Sequence, residues 1–255
     1  MLKLIWLLLF GKKKDFDQKF FEWFWDHYAP WAKYLQWVDP YKWMINDAMA
    51  QINPREGDNI LDVGCGCAVM SCRIISKQPR IGKILGIDVS TDLPARVLRE
   101  LDGKFRFKPH DLMLGIPSDN EDFKKKSFSW VVANMVITYF PEQILDMILS
   151  DIHELMSDDG TFVFTTPREK VNFWIDYKYS FKSMFSFGPD GMWGLWAAIH
   201  ILPHVLMLMK LGRFGFCTYL NEKSAPRKAE QHGFKVEYMQ STFVDQGLLV
   251  VLRKK

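Results

Sequence analysis

The middle of the chain is punctuated by short apolar runs that end in a glycine or a carboxylate. Asn59-Ile60-Leu61-Asp62-Val63 stops at glycines, and Lys83-Ile84-Leu85-Gly86-Ile87-Asp88 repeats the form. Runs this uniformly apolar predict strands buried on both faces, as in a parallel sheet. A third strand is expected at Phe105 and Phe107, which alternate with basic residues, a fourth over Ser127–Asn134 and a fifth over Thr161–Thr166. Between the last two, Ile144, Leu145, Ile148, Ile152 and Leu155 recur at helical spacing, predicting a helix over Gln143–Met156. Pro141 stands where a first-turn proline is tolerated, and Asp158-Asp159-Gly160 is expected to end the element. A short helix follows at about Ser224–Gln231, closed by Gly233, and two adjacent strands, Lys235–Phe243 and Gly247–Arg253, finish the chain. Strands alternating with helices imply an α/β fold: a doubly wound, mostly parallel sheet of seven strands with an antiparallel C-terminal strand.

Open parallel sheets bind ligands at the carboxyl ends of their strands, so the residues there carry the functional reading. The first strand runs into Asp62-Val63-Gly64-Cys65-Gly66-Cys67-Ala68, where glycines let the backbone turn sharply beside a ligand. A dinucleotide fingerprint would need a small residue at the position of Val69, so that reading fails. The second strand ends at Asp88, 26 residues after Asp62, where a carboxylate can accept from both hydroxyls of a ribose. The third leads to Asp111-Leu112 and the fourth to Asn134.

These residues resemble the glycine loop and strand ends of class I S-adenosylmethionine-dependent methyltransferases, over about residues 56–166 and 224–255. Ala68 departs mildly, since that family most often has a third glycine there. The resemblance implies a Rossmann-like core and S-adenosylmethionine as cofactor. It implies that Asp62, Gly64, Cys65 and Gly66 line the methionine portion, Asp88 and Val89 the ribose, Asp111 and Leu112 the adenine, with Asn134 near the sulfonium. Tyr28, in Trp25-Asp26-His27-Tyr28-Ala29-Pro30-Trp31, is similarly placed to an aromatic that closes over cofactor or substrate in small-molecule members.

Composition divides the chain further. Residues 1–57 and 167–223 hold 26 of the 38 aromatic side chains, and Trp130 is the only tryptophan elsewhere. Four parts follow: an aromatic N-terminal helical cap (1–57), a cofactor-binding core (58–166), a hydrophobic insertion expected to be a helical lid (167–223), and a C-terminal helix and strands completing the sheet (224–255). Phe16, Phe20, Trp23, Phe24, His27 and Trp31 fall on one face of a helix. Gly191–Met209 has no charged residue over 19 positions, long enough to span a membrane, but Pro203 is expected to interrupt it. Its flanks must also return to one sheet, which excludes a single crossing. A buried lid helix, or one dipping into a membrane surface, is the expectation. Residues 1–10 are too short to span and precede Lys12-Lys13-Lys14. They suit either an anionic surface or docking on the lid. Segments 1–14 and 191–209 are thus the candidate peripheral membrane contacts of a cytoplasmic protein.

The net charge of +3 argues against a dedicated nucleic-acid binder, so no nucleic-acid partner is expected. Cys65, Cys67, Cys72 and Cys217 are too few and too clustered for a disulfide framework, and with no histidine near the first three no metal site is expected. A lid of Trp, Phe, Met and Leu favours a small hydrophobic or lipid-like acceptor. Alternatives are a protein or RNA acceptor, or a non-catalytic module of the same fold. His27, His110, His200 and His204 are the histidine candidates for a base, with His200 carried among the catalytic candidates. Tyr139, just past the fourth strand, would face the donor methyl, and it and Tyr28 join His200 as the catalytic candidates lining the site.

Overall fold

A computed structural model describes residues 2–32, 34–35, 38–89, 101, 103–117, 121–168, 172, 178–179, 181–182 and 189–255. In chain order its helices and strands are α1 (Leu2–Phe10), α2 (Gln18–Ala32), α3 (Asp39–Gln51), β1 (Ile60–Val63), α4 (Val69–Lys77), β2 (Ile84–Asp88) and β3 (Phe105–Pro109). There follow β4 (Phe128–Asn134), α5 (Glu142–Leu155), β5 (Met156–Pro167), α6 (Pro189–Arg213), α7 (Ser224–Gln231), β6 (Phe234–Thr242) and β7 (Gly247–Lys254).

The strands form one seven-stranded sheet in the order β3-β2-β1-β4-β5-β7-β6. From β3 to β5 every neighbour is parallel, and β7 runs antiparallel to both β5 and β6. The order reverses between β1 and β4, and such a switch point opens a crevice at the carboxyl ends of the strands. Alternation along the strands feeds two cores. Leu61 and Val63 face α5 and α7 in a cluster with Leu145, Ile148, Ile152, Ala225 and Ala229. Ile60 faces α3 and α4 with Met44, Ile45, Ala48, Met70 and Ile74. Both faces being covered, all four residues of β1 are buried, which is why its sequence is apolar except at Asp62.

Strands and helices lie within a residue or two of their expected positions except at β5. That strand starts at Met156, directly after α5, so Asp158-Asp159-Gly160 is not the helix end expected from the sequence. Phe128 pairs with Met156 and Trp130 next pairs with Thr161, leaving Ser157–Gly160 as a bulge between two ladder segments. The buried Met156 side chain pins the near end of that bulge.

The aromatic N-terminal segment and the insertion meet in a third core. Leu4 and Leu7 of α1, Phe16, Phe20 and Phe24, and Met207, Leu208 and Leu211 of α6 are all buried together. Pro203 does not interrupt α6, which runs unbroken through it. A proline inside a helix costs about 3 kcal/mol or more. Burial of Ile201, His204, Met207, Leu208 and Leu211 on both sides of the proline offsets that cost. Among the described residues no helix is long and apolar enough to cross a membrane. The side chain of Trp31, expected on the aromatic face of α2, lies outside the described residues, as does much of the segment 169–188.

Candidate active site

The loop after β1 owes its shape to three residues in the left-handed region: Gly64 (φ 65°), Gly66 (φ 51°) and Ala68 (φ 56°). At Gly64 conformation and space both demand glycine, since a Cβ there would lie 2.3 Å from Cγ2 of Val136. The Gly66 amide donates to Oδ2 of Asp88 at 2.9 Å, and the Cys65 amide to the Ile87 carbonyl at 3.0 Å, so the loop is tied to the end of β2. Ala68 donates to the Cys65 carbonyl at 2.7 Å and starts α4.

Asp62 is buried beneath this loop, with the Ser71 hydroxyl donating to its Oδ2 at 2.6 Å. Burial pushes its carboxyl up to about 7; the Ser71 hydrogen bond works against that rise and the charge of Asp88 adds to it. A carboxylate this costly to bury is favoured once a cationic ligand sits beside it. Asp111 stands after β3 and accepts from the Met113 amide at 2.9 Å. Asn134, at the end of β4, donates to the Tyr41 hydroxyl at 2.9 Å and accepts from the Thr165 hydroxyl at 2.7 Å, which fixes its amide.

One cavity of about 520 Å³ joins these positions. Asp62, Gly64, Cys65, Gly66, Asp88, Val89, Asp111, Leu112 and Asn134 all line it, as do Tyr28 and Tyr139. Aromatic side chains also line it: Phe16, Phe21 and Trp25 from the N-terminal segment, Phe140 after β4, and Phe216 after α6. Tyr139 donates a hydrogen bond to Tyr28, and burial is the main reason both phenols hold their protons, that of Tyr28 being pushed up to about 12. The Trp25 ring lies 4.8 Å from Tyr139 and 5.6 Å from Tyr28, edge to face with both. Among the described residues the lining includes four aspartates and no lysine, arginine or histidine.

None of the candidate histidines reaches this cavity. Nδ1 of His200 lies 2.9 Å from the Trp196 carbonyl, one turn back on α6, and its ring faces that of Trp196. Nδ1 of His27 is likewise turned back, 2.8 Å from the Trp23 carbonyl, and Nε2 of His110 lies 2.6 Å from the Gly115 carbonyl. His204 is buried, 5.2 Å from the Phe24 ring and 5.8 Å from that of Tyr28. Of the insertion's described residues only Phe216 lines the cavity, while α6 buttresses α2.

Tyr41, Asp17, Phe140 and Phe216 were not singled out from the sequence. Phe216 and Asp17 sit in segments with no strand-end register to mark them, and Tyr41 looks like one more aromatic in a tryptophan-rich stretch. Cys65 is buried and its thiol pushed well up, chiefly by burial, so it packs the turn as a neutral group. Among the described residues no group of three or more histidines, cysteines or acids is arranged to hold a metal ion.

A switch-point cavity with an acidic residue at the end of each of β2 and β3 and a glycine loop after β1 defines an α/β enzyme site for a nucleoside-containing cofactor. The chain belongs to a methyltransferase-domain family, whose pattern it matches over residues 25–238. It is 25% identical over 122 residues to an uncharacterised methyltransferase of Schizosaccharomyces pombe, a match spanning 47% of this chain and 44% of the yeast protein. Solved structures share the fold. One is a putative methyltransferase of Haloferax volcanii in complex with its Trm112 activator (TM-score 0.60, 16% identity, 89% of this chain and 97% of that one). Another is a Burkholderia thailandensis N1-methyltransferase holding 1,6-didemethyltoxoflavin and S-adenosylhomocysteine (TM-score 0.55, 13% identity, 83% and 78%). A third is an S-adenosylmethionine-dependent methyltransferase of Mesorhizobium loti (TM-score 0.54, 15% identity, 82% and 96%). The chain therefore carries a methyltransferase domain, and it spans less than half the length of the yeast relative it matches.

Proposed function

We propose that the acceptor is a small hydrophobic or lipid-like molecule held against the aromatic wall. The observation that carries this is a lining that joins Asp62, Asp88 and Asp111 at the strand ends with the aromatic side chains of Phe16, Phe21, Trp25, Phe140 and Phe216. Flat apolar walls remove an apolar body from water at about 25 cal/mol per Å² buried. They offer little to a charged peptide, and the lack of lysine and arginine in the described lining offers as little to a phosphate backbone.

On this reading Asp62, Gly64, Cys65 and Gly66 hold the amino-acid end of the cofactor, where the buried carboxylate meets its ammonium. Asp88 and Val89 hold the ribose, Asp111 and Leu112 the adenine, and Asn134 faces the sulfonium region. Bound there, S-adenosylmethionine supplies a methyl group already activated for in-line displacement. What remains for the protein is alignment and the exclusion of water. Tyr28 and Tyr139 suit that task as hydrogen-bonding walls. With both protons firmly held, neither phenol is a general base near neutral pH.

Two measurements test this. Calorimetric titration with S-adenosylmethionine should show binding by the wild type and at least about tenfold weaker binding by Asp88→Ala, the loss of charge-assisted hydrogen bonds to the ribose. Incubation with labelled cofactor and separate lipid, protein and RNA fractions should place the label in lipid. Label in protein or RNA instead would overturn the acceptor class while leaving the cofactor assignment standing.

A further inference from the structure

Helix α1 has two faces with different fates. Leu4 and Leu7 are buried against α6, and Lys210 of α6 donates to the carbonyls of Leu7 and Leu8, at 2.8 Å each. These bonds satisfy carbonyls at the end of α1 and fix the rotation of the helix. The other face is thereby held outward. It carries Ile5, Trp6, Leu9 and Phe10, of which Trp6, Leu9 and Phe10 are 56–65% exposed. Positions i, i+1, i+4 and i+5 make one continuous apolar strip, and the Trp6 and Phe10 rings stand 6.1 Å apart along it. Monomeric proteins seldom leave such a strip uncovered without a use for it. The helix it packs on has an exposed row of its own, Met192, Trp193, Trp196 and Ile199.

The charge beside the strip selects what covers it. Lys3, Lys12, Lys13 and Lys14 are all exposed, and the first acidic residue of the chain is Asp15. A second copy of this chain, docking through the same patch on both partners, would set these lysines against their own counterparts. An anionic lipid surface instead takes the lysines at its headgroups and the strip among its acyl chains. Among the described residues no helix is long and apolar enough to cross a membrane, and the strip on α1 suits a helix lying in the interface.

From these features we infer that α1 is an anionic-membrane docking helix that presents the aromatic lining of the cavity to the bilayer. The coupling is short. Gly11 closes α1 by donating to the Leu7 carbonyl at 2.9 Å, and a Cβ on Gly11 would lie 3.0 Å from the Phe16 ring. Phe16 is at once part of the α1–α6 core and part of the cavity wall. Its neighbour Phe216, also in that wall, lies under the ammonium of Lys13 at 5.7 Å. A lipid-like acceptor therefore passes from the bilayer to the aromatic wall within a turn or two of chain. That consequence rests on the acceptor reading above; the docking itself does not.

The test is co-sedimentation with vesicles of phosphatidylcholine alone and of equal parts phosphatidylcholine and phosphatidylserine. The wild type should partition onto the mixed vesicles at least about tenfold more than onto the neutral ones, and less as salt is added. Trp6→Glu with Phe10→Glu, and separately Lys12→Glu with Lys13→Glu and Lys14→Glu, should each lose most of that partition. Both sets lie on the surface and should bind S-adenosylmethionine like the wild type in calorimetry without vesicles, which separates lost docking from lost folding or a lost cofactor site. Equal partition onto both vesicles, or undiminished partition by either set, overturns the proposal. So does a solution dimer abolished by Phe10→Glu, which would assign the strip to a second copy.

Discussion

Asp62 concentrates in one side chain a cost to stability and the role proposed for it at the cofactor's ammonium. Its carboxyl titrates at about 7 in the fold against 3.8 for an ordinary aspartate, mainly because it is buried. Between those values the folded chain keeps a proton that the unfolded chain releases. Stability is therefore fully present below about pH 4 and falls as pH rises towards about 7, by up to about 4 kcal/mol on this account. Asp62→Asn, which keeps the shape and removes the charge, should raise the urea midpoint of the cofactor-free protein at about pH 8 and leave it nearly unchanged at about pH 4. The same substitution should weaken S-adenosylmethionine binding. In the wild type that binding should weaken as pH falls below about 7 and Asp62 takes up its proton, a dependence calorimetry across pH would find flattened in the variant. Gly64 carries a different kind of necessity, one of space and backbone angle together. Gly64→Ala should destabilise the fold by about 1–3 kcal/mol and disrupt the loop. Adding Val136→Ala removes the 2.3 Å contact but leaves the side chain's Cβ 2.7 Å away and the positive φ in place, so thermal melts of the double variant should recover only part of the loss.

Helices and strands were legible to the extent that their reasons are local. The apolar runs of β1 and β2 and the single buried face of α5 appear within a residue of where periodicity puts them, since both sheet faces are covered and α5 has one side on the core. The departures are local rules overruled by packing. Pro203 lies inside α6 because the residues around it are buried, and the polar run Asp158-Asp159-Gly160 is a bulge within β5 because Met156 already pairs with Phe128. The elements of the cap, held by a small aromatic core with one side open to solvent, should be less firmly closed than the sheet. Hydrogen exchange should find amides of α1, α2 and α6 opening at lower free energy than those of β1, β4, β5 and β7. Bound cofactor should slow exchange most in the glycine loop and at Tyr28; uniform protection of cap and sheet would contradict this division.

Across the whole molecule, the chain is a seven-stranded sheet whose strand-end cavity is also lined by aromatics of a helical cap. The cap is assembled from both ends of the aromatic distribution: α1 and α2 from the first segment, α6 and Phe216 from the insertion. Its inner surface is the wall of the cavity and its outer surface is the exposed strip on α1. On the docking proposed for α1, a vesicle-bound protein and a protein in solution differ at that face only, so both should bind S-adenosylmethionine alike.

The sequence by itself determined the sheet, the glycine loop and the carboxylates at the strand ends, because each is dictated by local chemistry. A strand buried on both faces is mostly apolar, a backbone turned to positive φ beside Val136 requires glycine, and Asp62, Asp88 and Asp111 stand at or just past the ends of three such strands. Only the tertiary structure decided which aromatics meet the cavity. Trp25, Phe140 and Phe216 come from three segments far apart in the chain, and nothing in their own neighbourhoods distinguishes them from the aromatics that merely pack. The same holds for His200, which local spacing made a candidate for the chemistry and which the rotation of α6 directs to the Trp196 carbonyl instead.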